Sequence, residues 1–166
     1  MAVDMFLVFG DAKSSTPAGE SKDKDYAKCI DVLAWSWGVS NSGNAHIGGG
    51  AGAGKANVQD ISLTKWVDAA SSELIKACTI GTHFAKAKLV VRKAGGTPLE
   101  FITIVMEEVF ISSVSTGGSG GEDRLTENVV LNFAKFEYKY TSQTEKGAKD
   151  KDYEFGFDIA ANTKTK

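Results

Sequence analysis

The sequence predicts a mainly β fold: a small β-barrel of two packed antiparallel sheets, with one short α-helix at the side. Three observations lead there. Short apolar runs recur between stretches rich in glycine and other turn formers, the rhythm of an all-β domain. The run 85–93 alternates cleanly, with Ala85, Ala87, Leu89 and Val91 facing inward and Lys86, Lys88 and Arg92 outward. A later run changes phase partway, as strands do at the corners of a barrel or of two orthogonally packed sheets.

Taken in order, the candidate strands are 2–9, 29–37, 57–66, 85–93, 99–115, 125–141 and 153–159. The first carries apolar residues on both faces, at Met5, Phe6, Leu7 and Val8, and 101–106 does the same apart from Thr103. A sheet apolar on both faces needs a second covering layer, and a neighbouring subunit is a good source of one in a short chain. One helix follows 57–66. Asp68, Ser71 and Ser72 are candidate N-caps, Leu74, Ala77 and Cys78 share a face, and Gly81 can close the C-terminus. Ala94, Gly95 and Gly96 turn 85–93 into the next strand as a hairpin. In 125–141 the apolar positions Leu125, Val129, Leu131 and Phe133 are odd, whereas Phe136, Tyr138 and Tyr140 are even, so a bulge or bend is expected near Ala134. Segments 11–25, 40–55 and 116–121 read as surface excursions rather than linkers.

At 166 residues, with 42% hydrophobic and 24% charged, the chain suits one soluble domain, 1–166. A net charge of −2, with Arg92 and Arg124 the only arginines, leaves no basic stripe for neutralising phosphates, so nucleic acid is excluded as a partner class. No apolar run approaches the ~18 residues of a membrane helix, so no membrane insertion is expected. The start, 1–9, lacks the basic and apolar layout of a signal peptide. The expected location is therefore the cytoplasm, unless a machine exports the chain without a leader. Cys29 and Cys78 lie 49 positions apart with no zinc-ligand spacing, so neither metal nor cofactor is expected.

Each motif suggestive of catalysis has a plainer reading. Gly49, four intervening residues, Gly54 and Lys55 satisfy the first seven positions of a phosphate-binding loop, but Ala56 lacks the hydroxyl that would reach magnesium. The residues that follow read as strand, not as the helix whose N-terminus would hold phosphate. Ser21 and Lys24 match the spacing of an acylating pair, yet they lie in a charged loop. His46 and His83 lack local partners, and Glu107 and Glu108 point to opposite faces of a strand, so no enzyme is expected. Trp35 and Trp37 share a face with Leu33 and read as core. The opposite face carries Ile30, Val32, Ala34 and Ser36, growing smaller and more polar along the strand, and is the candidate cavity wall.

The run Asp31-Val32-Leu33-Ala34-Trp35-Ser36-Trp37-Gly38 resembles the haemolysin-coregulated protein (Hcp) family, as do residues 1–6, 49–60 and 115–129. The likeness is nearly end to end, with local departures around 14–18 and over 141–151. It implies a small β-barrel of two sheets with a side helix, and a homo-oligomer of hexameric rings that stack into the inner tube of a type VI secretion system. It also implies spike and sheath components as partners, export without a signal peptide, and a lumen holding small effector proteins. Ser36, Ala34 and Val32 are then the candidate lumen residues, and Ser40, Gly48, Gly49, Gly50, Gly52, Gly54 and Lys55 form a candidate assembly loop. A phage-like tail-tube protein would share the same barrel and is the alternative reading.

Overall fold

The computed structural model describes residues 2–43 and 54–166. Their elements are β1 (Val3–Phe9), β2 (Ile30–Ser36), β3 (Val39–Asn41), β4 (Ala56–Val58), β5 (Ile61–Trp66), α1 (Ser71–Ile80), β6 (His83–Lys93), β7 (Glu100–Thr116), β8 (Thr126–Gln143), β9 (Lys149–Asp158) and β10 (Thr163–Lys164). Six antiparallel strands close a barrel in the order β8-β5-β2-β1-β6-β7, with β7 returning to β8. β9 and β10 extend the sheet beyond β8, and β3 pairs with β4 as a separate hairpin. The mainly β barrel with one short helix is thus observed.

Strand β8 joins the two layers. Its first half pairs with β5, from Thr126 to Leu131, and its second half pairs with β9, from Lys135 to Gln143. Burial changes parity between the two halves, Leu131 and Phe133 lying in the core on one phase and Phe136 on the other. The expected bend near Ala134 is there. The facing strand bends with it: Glu108, between the pairs Glu107↔Lys135 and Val109↔Phe133, sits at φ 52°. One core fills the barrel, centred on Leu7, Ile30, Ile61, Leu63, Leu89, Ile104, Met106, Ile111 and Leu131.

Helix α1 packs Leu74 and Ala77 into that core. Gly81 closes it at φ 70°, a left-handed position where a residue without Cβ pays no steric penalty. At the N-terminus the cap differs from expectation. Ala70 holds the cap position, and the turn before it is locked reciprocally: Asp68 Oδ1 accepts from the Ala70 N–H at 2.9 Å, and Ser71 Oγ accepts from the Asp68 N–H at 3.0 Å.

Three further expectations are corrected. The segment 57–66 is two strands, interrupted at Gln59 and Asp60. The strands β3 and β10 are only three and two residues long, and no alternation announces them. The third correction concerns the second layer over β1. It is intramolecular, because the segment 11–28 folds back as a strap that buries Phe6 and Val8 against Tyr26, Cys29 and Val90. Ser15, Pro17, Gly19 and Ser21 are buried at alternate positions, so this strap is no mere excursion. Gly19 lies so close that an added Cβ would stand 2.5 Å from the Cys29 carbonyl oxygen.

Arg92 clasps the strap to the barrel. Its guanidinium, 6% exposed, stacks over Phe6 and Tyr26, bonds Asp23, and lies 3.3 Å from Asp4 and 3.5 Å from Asp25. The hydrogen bond from Arg92 holds the Asp23 carboxyl below the usual carboxylate range. A depressed folded pKa contributes stability above the unfolded value of about 3.9, lost as pH falls through the folded value. Asp31 acts in reverse: burial raises its carboxyl, so the penalty of ionising it lifts on acidification. We expect Asp23→Asn to cost ~1–2 kcal/mol at pH 7 and much less at pH 3, read from urea unfolding at both pH values.

Candidate functional site

The strand expected to line a cavity, β2, contains a bulge that divides its faces. Val32 pairs with Lys65 and Ala34 with Thr64, so Leu33 is the extra residue. Before the bulge Ile30 and Val32 enter the core. After it Trp35 and Trp37 turn that way, while Ala34 and Ser36 are exposed on the other side. Val32, 5% exposed, therefore cannot share a wall with Ser36, and Leu33, 37% exposed at the bulge, leaves the tryptophan face. Trp37 is fixed by its indole N–H, which donates to the Gln59 carbonyl at 2.9 Å, and by an edge contact with Phe136.

Cross-strand partners point to the same side of a sheet, so the register extends the face of Ser36 over four strands. Ser36 faces Ser62, Ser62 faces Val130 and Val130 faces Ser113. In the adjacent row Ala34 faces Thr64, Thr64 faces Asn128 and Asn128 faces Ser115. The reverse side of the same strands is core: Trp35, Leu63, Val129 and Val114 form the corresponding row there. The Thr64 hydroxyl donates to Asn128 Oδ1 at 2.8 Å. At the end of the face nearest β4, Asp60 accepts from the Ser112 hydroxyl at 2.9 Å and from the Asn132 amide at 2.8 Å. The result is a wall of small hydroxyl and amide groups with one pinned carboxylate. Hydroxyls and amides can both donate and accept, and each neutral hydrogen bond contributes only ~0.5–1.5 kcal/mol net.

Sequence reasoning found Ser36 and Ala34 but missed Ser62, Thr64, Asn128, Ser113 and Ser115. Their period-two polarity is visible in each strand, but the register that assembles them is a long-range property. Of the candidate assembly loop, Ser40 lies in the exposed strand β3 and Lys55 is exposed before β4. Gly54 is tightly placed, since an added Cβ would stand 2.6 Å from Ser42 Oγ, and its carbonyl accepts from the Asn41 amide at 2.8 Å. Gly48, Gly49, Gly50 and Gly52 lie outside the described residues, as does His46. Lys55 and Ala56 run into a strand, not a helix.

The other singled-out groups have structural surroundings. Ser21 is buried in the strap and accepts from the Asp23 N–H at 3.2 Å. His83 is exposed beside the Phe110 ring. Cys29 is buried, which pushes its thiol pKa up, and its Sγ lies 3.5 Å from the Ala12 carbonyl it donates to. Among the described residues no three metal-ligand side chains converge, and no helix is long and apolar enough to cross a membrane.

The family model for the type VI secretion system effector Hcp matches residues 6–140. Protein hcp1 of Pseudomonas aeruginosa is 55% identical over 164 residues, covering 98% of each chain. The chain belongs to the Hcp family of type VI secretion. Solved Hcp-type structures agree in fold. Hcp1 from Salmonella typhimurium superimposes with a TM-score of 0.78 at 32% identity over 99% of both chains. A type six secretion system protein gives 0.89 at 28% identity, covering 99% of this chain and 100% of that one. Hcp membership makes this a structural, secreted tube protein of that system.

Proposed function

We propose that the chain is the ring subunit of the type VI inner tube: six copies close into a ring, rings stack, and the face carrying Ser36 lines the bore. The observation that carries this reading is the four-strand wall of Ser36, Ser62, Val130, Ser113, Ala34, Thr64, Asn128 and Ser115, whose side chains are mostly small and polar and all uncharged. A charged wall would hold oppositely charged cargo tightly. Scattered hydroxyls instead give weak contacts that small effector proteins can make and leave, which suits a conduit emptied on firing. Spike and sheath components are the partners of the filled tube.

The substitution Ser36→Gln tests the wall. A long amide in an open bore leaves ring assembly intact and changes the retention of co-expressed effectors in pull-downs. In a packed interface the same change overfills the site at ~1–3 kcal/mol and removes the rings, and that outcome would reject the bore position. Intact rings with unchanged retention of every effector tried would reject the cargo role.

The hairpin β3–β4 carries the glycine-rich loop 40–55, which we assign to contacts between subunits or rings. Glycines allow close backbone approach, which a contact between neighbouring subunits can use. Deleting Gly48 to Gly52 is expected to spare the melting temperature of the monomer and to weaken assembly, measured by sedimentation. Unchanged rings and stacks would reduce the loop to a spacer.

A further inference from the structure

Strands β6, β7 and β8 present, on the side away from the core, a face that gathers three lysines around a buried hydroxyl. Thr103 on β7 pairs with Val90 on one side and with Lys139 on the other. The next row of the same face pairs Lys88 with Val105 and Val105 with Glu137, and Lys86 stands one row further, opposite Glu107. A cavity of about 280 Å³ opens over these rows, lined by Lys86, Lys88, Lys139, Thr103, Val105 and Glu137. Thr103 is 5% exposed, and its Oγ1 has no hydrogen-bond partner among the described residues.

We propose that this cavity binds a phosphate group, as the free dianion or at the end of a small phosphate monoester. A buried polar group left unpaired is disfavoured, and an anionic oxygen over Thr103 supplies the missing acceptor. The charge points the same way. The lining holds three ammonium groups and one carboxylate, in a chain whose net charge is −2. Glu137 is bonded by Lys166 at 2.9 Å, and Lys88 has Glu100 at 3.7 Å. Including both outer partners leaves the positive excess unchanged. Lys86 and Lys139 have no ion pair among the described residues. Glu107, opposite Lys86, lines the adjoining cavity, which it shares with Lys135 and Lys166.

The donor set selects phosphate over carboxylate. A planar carboxylate is matched best by the fork of an arginine, whereas lysine ammoniums are compact point charges that can approach a tetrahedral dianion from separate directions. Among the described residues no arginine lines the cavity. The registers spread the ammoniums around the hydroxyl, with Lys139 directly opposite Thr103, Lys88 diagonal to it on β6, and Lys86 beyond. Size sets the limit. The volume falls just below the ~300–1,000 Å³ of ordinary small-molecule sites, which leaves room for phosphate with a short substituent. Three lysines do not make the extended basic stripe that a nucleic acid needs. An ordered water would satisfy Thr103 without using the lysines, and titration separates the two. The site is independent of the ring reading, since it shares no residue with the Ser36 wall.

The test is calorimetric titration of inorganic phosphate into the purified chain, at constant ionic strength in a phosphate-free buffer. Thr103→Val and Lys86→Gln/Lys139→Gln are compared with wild type, and Lys76→Gln, on the exposed side of α1, is the control. Wild type is expected to bind saturably, with both cavity variants at least ~10-fold weaker and the control unchanged. Without phosphate, Thr103→Val should melt no lower than wild type, because a methyl of similar shape replaces an unpaired hydroxyl. If that variant fails to fold by circular dichroism, the lysine double variant carries the test, since neither of its side chains is buried. Glycerol phosphate is titrated alongside: tighter binding places a phosphate monoester in the cavity, and equal or weaker binding places the free ion, the site standing in either case. Absence of saturable binding, equal weakening by Lys76→Gln, or acetate binding as well as phosphate overturns the assignment.

Discussion

Replacing Lys65 by Met is expected to lower the unfolding free energy by about 3–5 kcal/mol. Lys65 and Glu127 are directly opposite each other on β5 and β8, and both are essentially inaccessible to solvent. The ammonium bonds the Glu127 carboxylate, Asp68 Oδ1 at 2.9 Å and the Trp66 carbonyl at 2.7 Å, while Ser71 donates to Glu127 Oε1 at 2.6 Å. Removing the cation leaves Glu127 buried with the Ser71 hydroxyl as its remaining bond, and a lone buried carboxylate costs far more than the pair contributes. The network also ties the start of α1 to the barrel, so the helix should fray with it. The double change Lys65→Met/Glu127→Leu should recover most of the stability. Urea titrations of the wild type and the two variants decide it, and a single change costing under about 1 kcal/mol would show that the pair is dispensable.

Leu131→Ala should cost about 2–5 kcal/mol. Leu131 stands opposite Ile61 on one side and Ile111 on the other, and all three are at most 1% exposed. This row crosses the barrel wall where β8 is held between β5 and β7. The rigid ladder on both sides lets little of the cavity collapse, so the loss includes a cavity contribution as well as the transfer of the missing carbons. Assembly should weaken only as far as the fraction folded falls, which a melting curve and a sedimentation run on the same sample separate.

Most of the framework was legible because it depends on local signals. The alternation of Ala87, Leu89 and Val91 marked β6, Gly81 marked the helix end, and the parity change between Phe133 and Phe136 marked the bend. The errors came from pairing and packing at a distance. The bulge at Leu33 is set by the register against Lys65 and Thr64, and nothing in β2 alone shows that it moves Val32 to the other face. The strap was read as surface because Ser15, Gly19 and Ser21 are polar or small, yet its buried side is defined by Phe6, Val8 and the Arg92 clasp. β9 begins at Lys149, four residues earlier than expected, because the charged run Lys149-Asp150-Lys151-Asp152 is held by pairing with β8 and by bonds such as Thr141 to Asp152 at 2.7 Å. The hydroxyl wall shares this character. Ser36 could be placed from parity, but its neighbours Ser62, Ser113 and Thr64 became a surface only once three interstrand registers were known.

Negative-stain imaging of the purified chain at micromolar concentration tests the central claim most directly. The account predicts end-on views of closed rings with six-fold symmetry and an open bore, and side views of stacked rings. Fields of isolated monomers, backed by a monomeric mass in the same mild buffer, would contradict it.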